Sequence, residues 1–480
     1  MDSSITLPVM TLLMILVGSM NLLFPFVKKK KHSRTRLVSM ITASVFYLGF
    51  IVMMGILYVK DGITSFTMIN LGNFSLKFHI EALGMIFLSL IGSLWPIAIL
   101  YTDIYLKKTD HPHPRRMFIF ISLSVLITSL IALSANLMTM FIFYELLTLC
   151  TLPLVWNGDF HALEKYLRPL LYPAFLLFLP AILIVNNLAD SNDFRCLGLL
   201  EESPVVLIIL LLMFIFGIAK TALVPMHSWL PSAMVAIVPV SALLHAVAVV
   251  KAGLFCLLKI VIYTFGVKYL EQSIEFSFLF LLIPAATILY SGIKAFKEEE
   301  IKRILAYSTI NQLATAVFSI FLFSKAGIAG AVMQMLAHST AKIAAFFAAG
   351  NIYIFAKQSS IKMMEGLYYR MPITTALFAL SMLSISGFPF LAGALSKKSI
   401  AYAVMESNNI IAIIIFFISS ILTLLYSIRI VYFLFKKPSY AQQKIKESKV
   451  VIIPHAIAAS TIIIFPLISF IALKFIEFIQ

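Results

Sequence analysis

The chain has 480 residues, of which 61% are hydrophobic and only 12% charged, and its net charge is +16. A water-soluble protein of that composition would expose large apolar patches and aggregate, so the chain reads as an all-α polytopic membrane protein. Its apolar runs are too long and too rarely alternating for a β-barrel. Its positive residues gather in short loops, which speaks for a bilayer and against nucleic acid as the partner.

About fourteen spans are expected, each near the twenty residues that a bilayer requires. The first is Ser4–Val27, which lacks a preceding basic region and a small-residue cleavage site and is therefore read as a retained span. A basic loop, Lys28–Arg36, leads to Leu37–Val59, and a polar segment to Ile80 leads to Ala82–Leu106. A second basic loop, Lys107–Arg116, precedes Met117–Ala135, Leu137–Trp156 and Tyr166–Leu188. The next loop, Ala189–Ser203, is acidic, with Asp190, Asp193, Glu201 and Glu202 against Arg195.

Span seven is Val205–Ala222 with a broken continuation to Pro239, and span eight is Val240–Phe265. Spans nine to eleven are Ser273–Ile293, Ile304–Phe323 and Ile328–Phe355. Span twelve starts at Pro372, is interrupted at Gly387–Phe390 and resumes to Met405. Spans thirteen and fourteen are Ile410–Phe435 and Val450–Phe475.

Loop charge sets an orientation. Basic loops beginning near Lys28, Lys107, Lys294, Lys357 and Lys436 fall on one side, expected to be cytoplasmic, with both termini outside a cell (inner) membrane. Spans four to eight and nine to thirteen form two sets of five, which an odd count relates by inversion. The fourth member of each set, span seven or twelve, is broken by Pro or Gly, as in inverted-repeat transporters. The resulting organisation is a three-helix segment (1–116), two five-helix repeats (117–265 and 266–435) and a C-terminal loop and helix (436–480).

The chemistry concentrates in Phe216–Lys259, where Lys220, His227, His245 and Lys251 sit among apolar residues with Pro225, Pro231 and Pro239. The prolines interrupt the helical hydrogen-bond ladder. A lysine at membrane depth faces a partner or a polar cavity and marks an ion path, unless it snorkels to the surface. Snorkelling suits Lys259 near a helix end, and Lys251, deep in an apolar run, does not allow it. Glu145 lies mid-span and either takes up a proton or finds a cation, in a transport role or as a pair stitching two helices. His245 precedes Lys251 by six residues, about 120° around a single helix, and is open to a proton role or to packing. His338 and Lys342 are four apart on one face of span eleven, among small residues that leave room for water. Lys397 follows the break in span twelve, with Lys398 as a flanking charge.

Lys302 and Arg303 suit anchoring at the entrance of span ten, and Tyr307, Ser308 and Thr309 suit ordering water. His111 and His113 read as solvated loop residues. Asp103, late in span three, matches no motif. Cys150, Cys196 and Cys256 are scattered without a CxxC pair, and neither a Walker loop nor a dinucleotide fingerprint is present, so no metal or other cofactor is expected.

Several segments resemble the antiporter-like subunits shared by respiratory complex I and Mrp-type cation/proton antiporters. They are NLMTMFIFYELLTL, the AK before TALVPM, HSWLPSAM, PVSALLHAVAVVKAG, EEEIKRILAYSTINQLA, His338-x-x-x-Lys342 and FLAGALSK, and the resemblance covers about Ala82–Phe435. HAVAVVKAG resembles the D-type Mrp subunit more than most complex I members. One departure is Ile237-Val238, where relatives usually carry Pro-Thr. The resemblance implies the inverted five-helix repeats, a Glu145–Lys220 pair and a lateral proton path through Lys220, Lys251, His338, Lys342 and Lys397. It implies no covalent chemistry on this chain. The expected partners are other hydrophobic subunits, the bilayer and protons, with Na+ or K+ as coupling ions. A proton-pumping subunit of an NADH:quinone oxidoreductase or membrane hydrogenase is the alternative, followed by a structural subunit without transport. The chain ends after span fourteen without a long lateral helix, an expectation against the largest family members.

Overall fold

A computed structural model describes residues 8–10, 12–18, 33–62, 65–71, 74–156, 160–189, 191, 193–194, 203–273, 278–438 and 443–479. Much of the first run, most of the first basic loop and the acidic-loop residues Asp190, Arg195, Glu201 and Glu202, with Cys196, lie outside the described residues.

The described chain is mostly helical, and ten of its helical stretches, Phe160–Ala189 and Val238–Phe265 each taken as one, are long and apolar enough to cross a membrane. After α1 (Pro8–Gly18) and α2 (Ser33–Asp61) the chain forms a two-stranded antiparallel hairpin, β1 (Ser65–Leu71) and β2 (Phe74–His79). The hairpin replaces the featureless polar segment expected there, so the fold is not purely α. Then come α3 (Ala82–Lys108), α4 (Pro114–Ala132), α5 (Leu137–Val155), α6 (Phe160–Pro173) and α7 (Leu179–Ala189), the last two joined through one π-helical turn. Asn136 starts α5 by accepting a hydrogen bond from the Thr139 amide at 2.7 Å.

The middle of the chain is broken more often than the sequence suggests. Helix α8 (Pro204–Gly217) stops before a 3₁₀ turn, Ala219–Thr221, and Ala222 follows in the left-handed region at φ 56°. A short α9 (Trp229–Ser232) leads to α10 (Val238–Ala246) and α11 (Val249–Ile260). Ile237 stands just before α10 with an extended backbone, and Val238 and Pro239 open the helix. The expected single helix Val240–Phe265 is therefore two, divided at Val247–Ala248. No proline or glycine marks that division. It ends the angular argument relating His245 to Lys251, since the two lie on different helices.

The remaining elements are α12 (Val267–Ser273), α13 (Phe278–Lys297), α14 (Ile301–Ile320), α15 (Lys325–Ala356), α16 (Leu367–Arg370), α17 (Pro372–Ser386), α18 (Ala392–Glu406), α19 (Ile410–Phe435) and α20 (Lys449–Glu477). Gly387, at φ 87°, ends α17 in the conformation that favours glycine, and the chain re-enters helix at Ala392. Rich in Ala and Gly, α15 is buried along most of its length and packs against α10, α14, α17, α18 and α20. Bridges Phe78–Ser134 and Asn136–Asp193 gather the hairpin, the α4–α5 turn and the acidic loop at one end of the bundle. Glu300–Ser360 ties the start of α14 to the segment after α15 at the other.

Candidate functional site

The 3₁₀ turn after α8 carries Lys220 into the interior, fully buried. Helix α11 lets it approach because residue 253 is glycine. A Cβ at Gly253 would lie 2.6 Å from the Lys220 carbonyl carbon and 2.7 Å from the Thr221 nitrogen. The ammonium donates to the Tyr144 carbonyl at 2.8 Å and the Thr148 hydroxyl at 2.6 Å, and lies 3.2 Å from the centre of the Tyr144 ring. The Lys220 amide donates to the Tyr144 hydroxyl at 3.1 Å. Glu145, on the same turn of α5, is 3.9 Å away through Oε1. Neither of its oxygens accepts a hydrogen bond among the described residues. An ammonium has three donors; two are engaged elsewhere, and a direct bond to Glu145 requires roughly 1 Å of movement. The pair is close enough to couple electrostatically.

A second group lies between α10, α11 and α15. Lys251 Nζ is 2.7 Å from His338 Nδ1. Lys342, one turn along α15 from His338, donates to the Leu305 carbonyl at 2.9 Å and to the Ser308 hydroxyl. His245 packs against the Phe346 ring at 4.9 Å and lies within electrostatic range of Lys251 and Lys342. Neither of its ring nitrogens has a hydrogen-bond partner among the described residues. His338 Nε2 likewise has none among the described residues. All four side chains are buried.

One turn before His338 on α15, the structure adds groups that the charged-residue reading missed. Gln334 donates to Gln312 at 2.7 Å, and Gln312 in turn donates to Asn311, Thr423 and Tyr426 at 3.0–3.1 Å. Thr315 and Ser419 are joined at 2.8 Å beside it. This buried network of α14, α15 and α19 extends the polar interior beyond His338 and Lys342. Lys397 is only partly buried. It donates to the Ser386 carbonyl at 2.8 Å across the break between α17 and α18, and lines a cavity of about 450 Å³ with Lys398, Phe416 and Ser420.

Lys302 reaches the carbonyls of Met234 and Ala236 at 2.5 and 3.1 Å, tying α14 to the broken segment before α10. It borders a cavity of about 430 Å³ with Tyr105, His111, Ile237 and Tyr353. Tyr307 lies edge-on to Tyr290, with ring centres 6.5 Å apart. His227 also packs on Tyr290, at 4.6 Å. Asp103 pairs with Lys107. Lys259 does not snorkel: it is fully buried, 2.7 Å from Glu81. Among the described residues, no three or more His, Cys, Asp or Glu side chains are placed to hold a metal ion.

Residues 134–423 match the family described as NADH:quinone oxidoreductase/Mrp antiporter, TM. Among curated relatives, NAD(P)H-quinone oxidoreductase subunit 5, chloroplastic, of Populus trichocarpa is 31% identical over 451 residues, covering 86% of this chain and 56% of that protein. The putative antiporter subunit mnhA2 of Staphylococcus aureus is 30% identical over 374 residues, covering 72% and 45%. The chain thus spans about half the length of the curated relatives it matches. A chain in the structure of the Mrp complex from Dietzia sp. DQ12-45-1b superposes with a TM-score of 0.84 at 17% identity, covering 98% of this chain and 96% of that one. A chain of the archaeal membrane-bound sulfane sulfur reductase superposes with 0.83 at 20%, with the same coverage. Both structures are multisubunit membrane complexes. The motifs, the fold and the family match agree: this chain is a multi-pass membrane protein belonging to the NADH:quinone oxidoreductase/Mrp antiporter family.

Proposed function

We propose that the chain is the proton-conducting subunit of a multisubunit monovalent cation/proton antiporter. The observation that supports this most is the buried row itself. Lys220, Lys251 and Lys342 are all buried, with Glu145 as the carboxylate beside them. Three ammonium groups against one carboxylate would leave two uncompensated charges in a low-dielectric interior, which is costly. Sharing protons along the row relieves that cost. In this reading Glu145 steadies the charged form of Lys220, and its separation promotes proton release. Lys251 hands the proton to Lys342 through His338, with His245 as an accessory group. The Gln312–Gln334 network and ordered water lead on to Lys397. Lys302 and Tyr307 belong to the entrance, where the cavity at Ile237 admits water.

The reading also assigns two inverted five-helix repeats, 117–265 and 266–435, and both termini to the outside of a cell membrane. The partners are further hydrophobic subunits, and Na+ or K+ is the counter-ion. The D-type correspondence rests on HAVAVVKAG. The subunit 5 relative and the sulfane sulfur reductase support a second reading, in which the same row serves a redox-driven proton pump.

The test is purification of the native assembly in mild detergent, then reconstitution into proteoliposomes with a pH dye. Small hydrophobic partners and a Na+- or K+-induced pH change support the antiporter. Flavin and iron–sulfur partners with quinone-dependent acidification support the pump. Proteoliposomes of the intact assembly that move no protons under either drive would refute both.

A further inference from the structure

A second buried cluster lies outside the row. Lys259, on the last turns of α11, has its Nζ 2.7 Å from Glu81 Oε1 and 3.2 Å from His79 Nε2. His79 Nε2 is also 3.1 Å from Glu81 Oε2. The ammonium donates to the Ser134 carbonyl and is flanked by the rings of Phe194 at 4.8 Å and Phe255 at 5.5 Å. All three side chains are buried. Tyr58 of α2 and Tyr263 of the π-helical turn after α11 face Glu81 within electrostatic range.

A lysine–glutamate pair balances its own charge and pins two elements without help. Here an imidazole nitrogen touches both partners, which a pin does not require. With its proton on Nδ1, His79 can accept a proton from the Lys259 ammonium at Nε2. The resulting imidazolium can pass that proton to Glu81, leaving a neutral amine, a neutral ring and a carboxylic acid. No heavy atom has to move far.

The cluster is also placed between the row and water. Residues 251 and 259 share α11, about 12 Å apart along its axis. The Cys256 thiol between them is within electrostatic range of both Lys220 and Lys259. On the other side, Lys77 and His79 are two apart on β2 and point to the same face. Lys77 pairs with Asp193 at 2.7 Å, and both are about one-third exposed, at 33% and 31%.

We propose that His79, Glu81 and Lys259 form a proton-exchange station joining the Lys220 row to water at the hairpin end of the bundle. The proposal rests on the proton-translocation reading above. It is tested in the intact assembly, in proteoliposomes, with Lys220→Met as the reference. The double variant Glu81→Gln with Lys259→Met removes the titratable groups without stranding a buried charge. His79→Gln exchanges one neutral group for another.

The double variant is expected to assemble and to lose transport by about 100-fold. His79→Gln is expected to shift the pH–rate profile, which a structural pin would not do. Full transport by the assembled double variant, with Lys220→Met inactive, would overturn the station and leave the row standing. Should the double variant fail to assemble, an unchanged pH–rate profile in His79→Gln overturns the station by itself. Full transport in Lys220→Met would instead remove the parent reading, and the station with it.

Discussion

Gly253 is where the row meets the scaffold, so Gly253→Ala isolates the positioning of Lys220 from its chemistry. The added methyl would meet the Lys220 carbonyl carbon at 2.6 Å, the Thr221 nitrogen at 2.7 Å and Lys220 Cβ at 2.8 Å. Two of these are backbone atoms, so no flexible side chain can swing clear. The 3₁₀ turn has to retreat by roughly 1 Å, at a cost of about 1–3 kcal/mol. The Lys220 hydrogen bonds to Tyr144 and Thr148, at 2.8 and 2.6 Å, do not survive such a shift. A misplacement of about 1 Å costs on the order of 100-fold in a positioned reaction. The variant should therefore assemble with a lowered melting temperature and show about 1% of normal proton transport. Gly49→Ala on α2, where nothing lies within 4 Å of the added methyl, serves as the control and should behave normally. Normal transport by assembled Gly253→Ala would refute the claim that the turn's position matters.

Other perturbations separate transport from stability. Lys251→Met keeps the stem but removes the 2.7 Å contact to His338. It should abolish proton transport and cost about 1–3 kcal/mol from the imidazole left unpaired, read by transport assay and thermal shift together. Glu447 accepts hydrogen bonds from the Ile373 and Thr374 amides at 2.9 Å each, at the first turn of α17. Glu447→Ala should lower stability by about 1–2 kcal/mol, with most transport per assembled complex retained. Gln312→Leu removes the partner of the Tyr426 hydroxyl and of the Gln334 amide, while Asn311 and Thr423 keep their bond to each other at 3.1 Å. It should destabilise by about 1–3 kcal/mol and slow transport, whereas an unchanged melting curve would contradict the network's integrity.

Much of the site is legible in the sequence because a charge inside an apolar run is costly and therefore conspicuous. Lys220, Glu145, Lys251 and the His338–Lys342 spacing all stand out on that ground, and the structure buries each of them. The partners of such charges are harder to read. Lys259 resembles a helix-end lysine free to reach water, and only the fold brings it to His79, 180 residues away. Gln312 and Gln334 carry no charge and give no signal, although their amides organise the interior. The break at Val247–Ala248 has no proline or glycine to announce it, since packing rather than local propensity divides α10 from α11. The hairpin hides between two apolar helices, where its short strands read as a polar connection.

The central claim is that Lys220 and Glu145 act as a separable pair in proton movement. Lys220→Ala and Glu145→Ala, each measured in proteoliposomes containing the intact assembly, address it most directly. Both variants should remain folded and assembled and transport no protons. Normal transport by either would contradict the account.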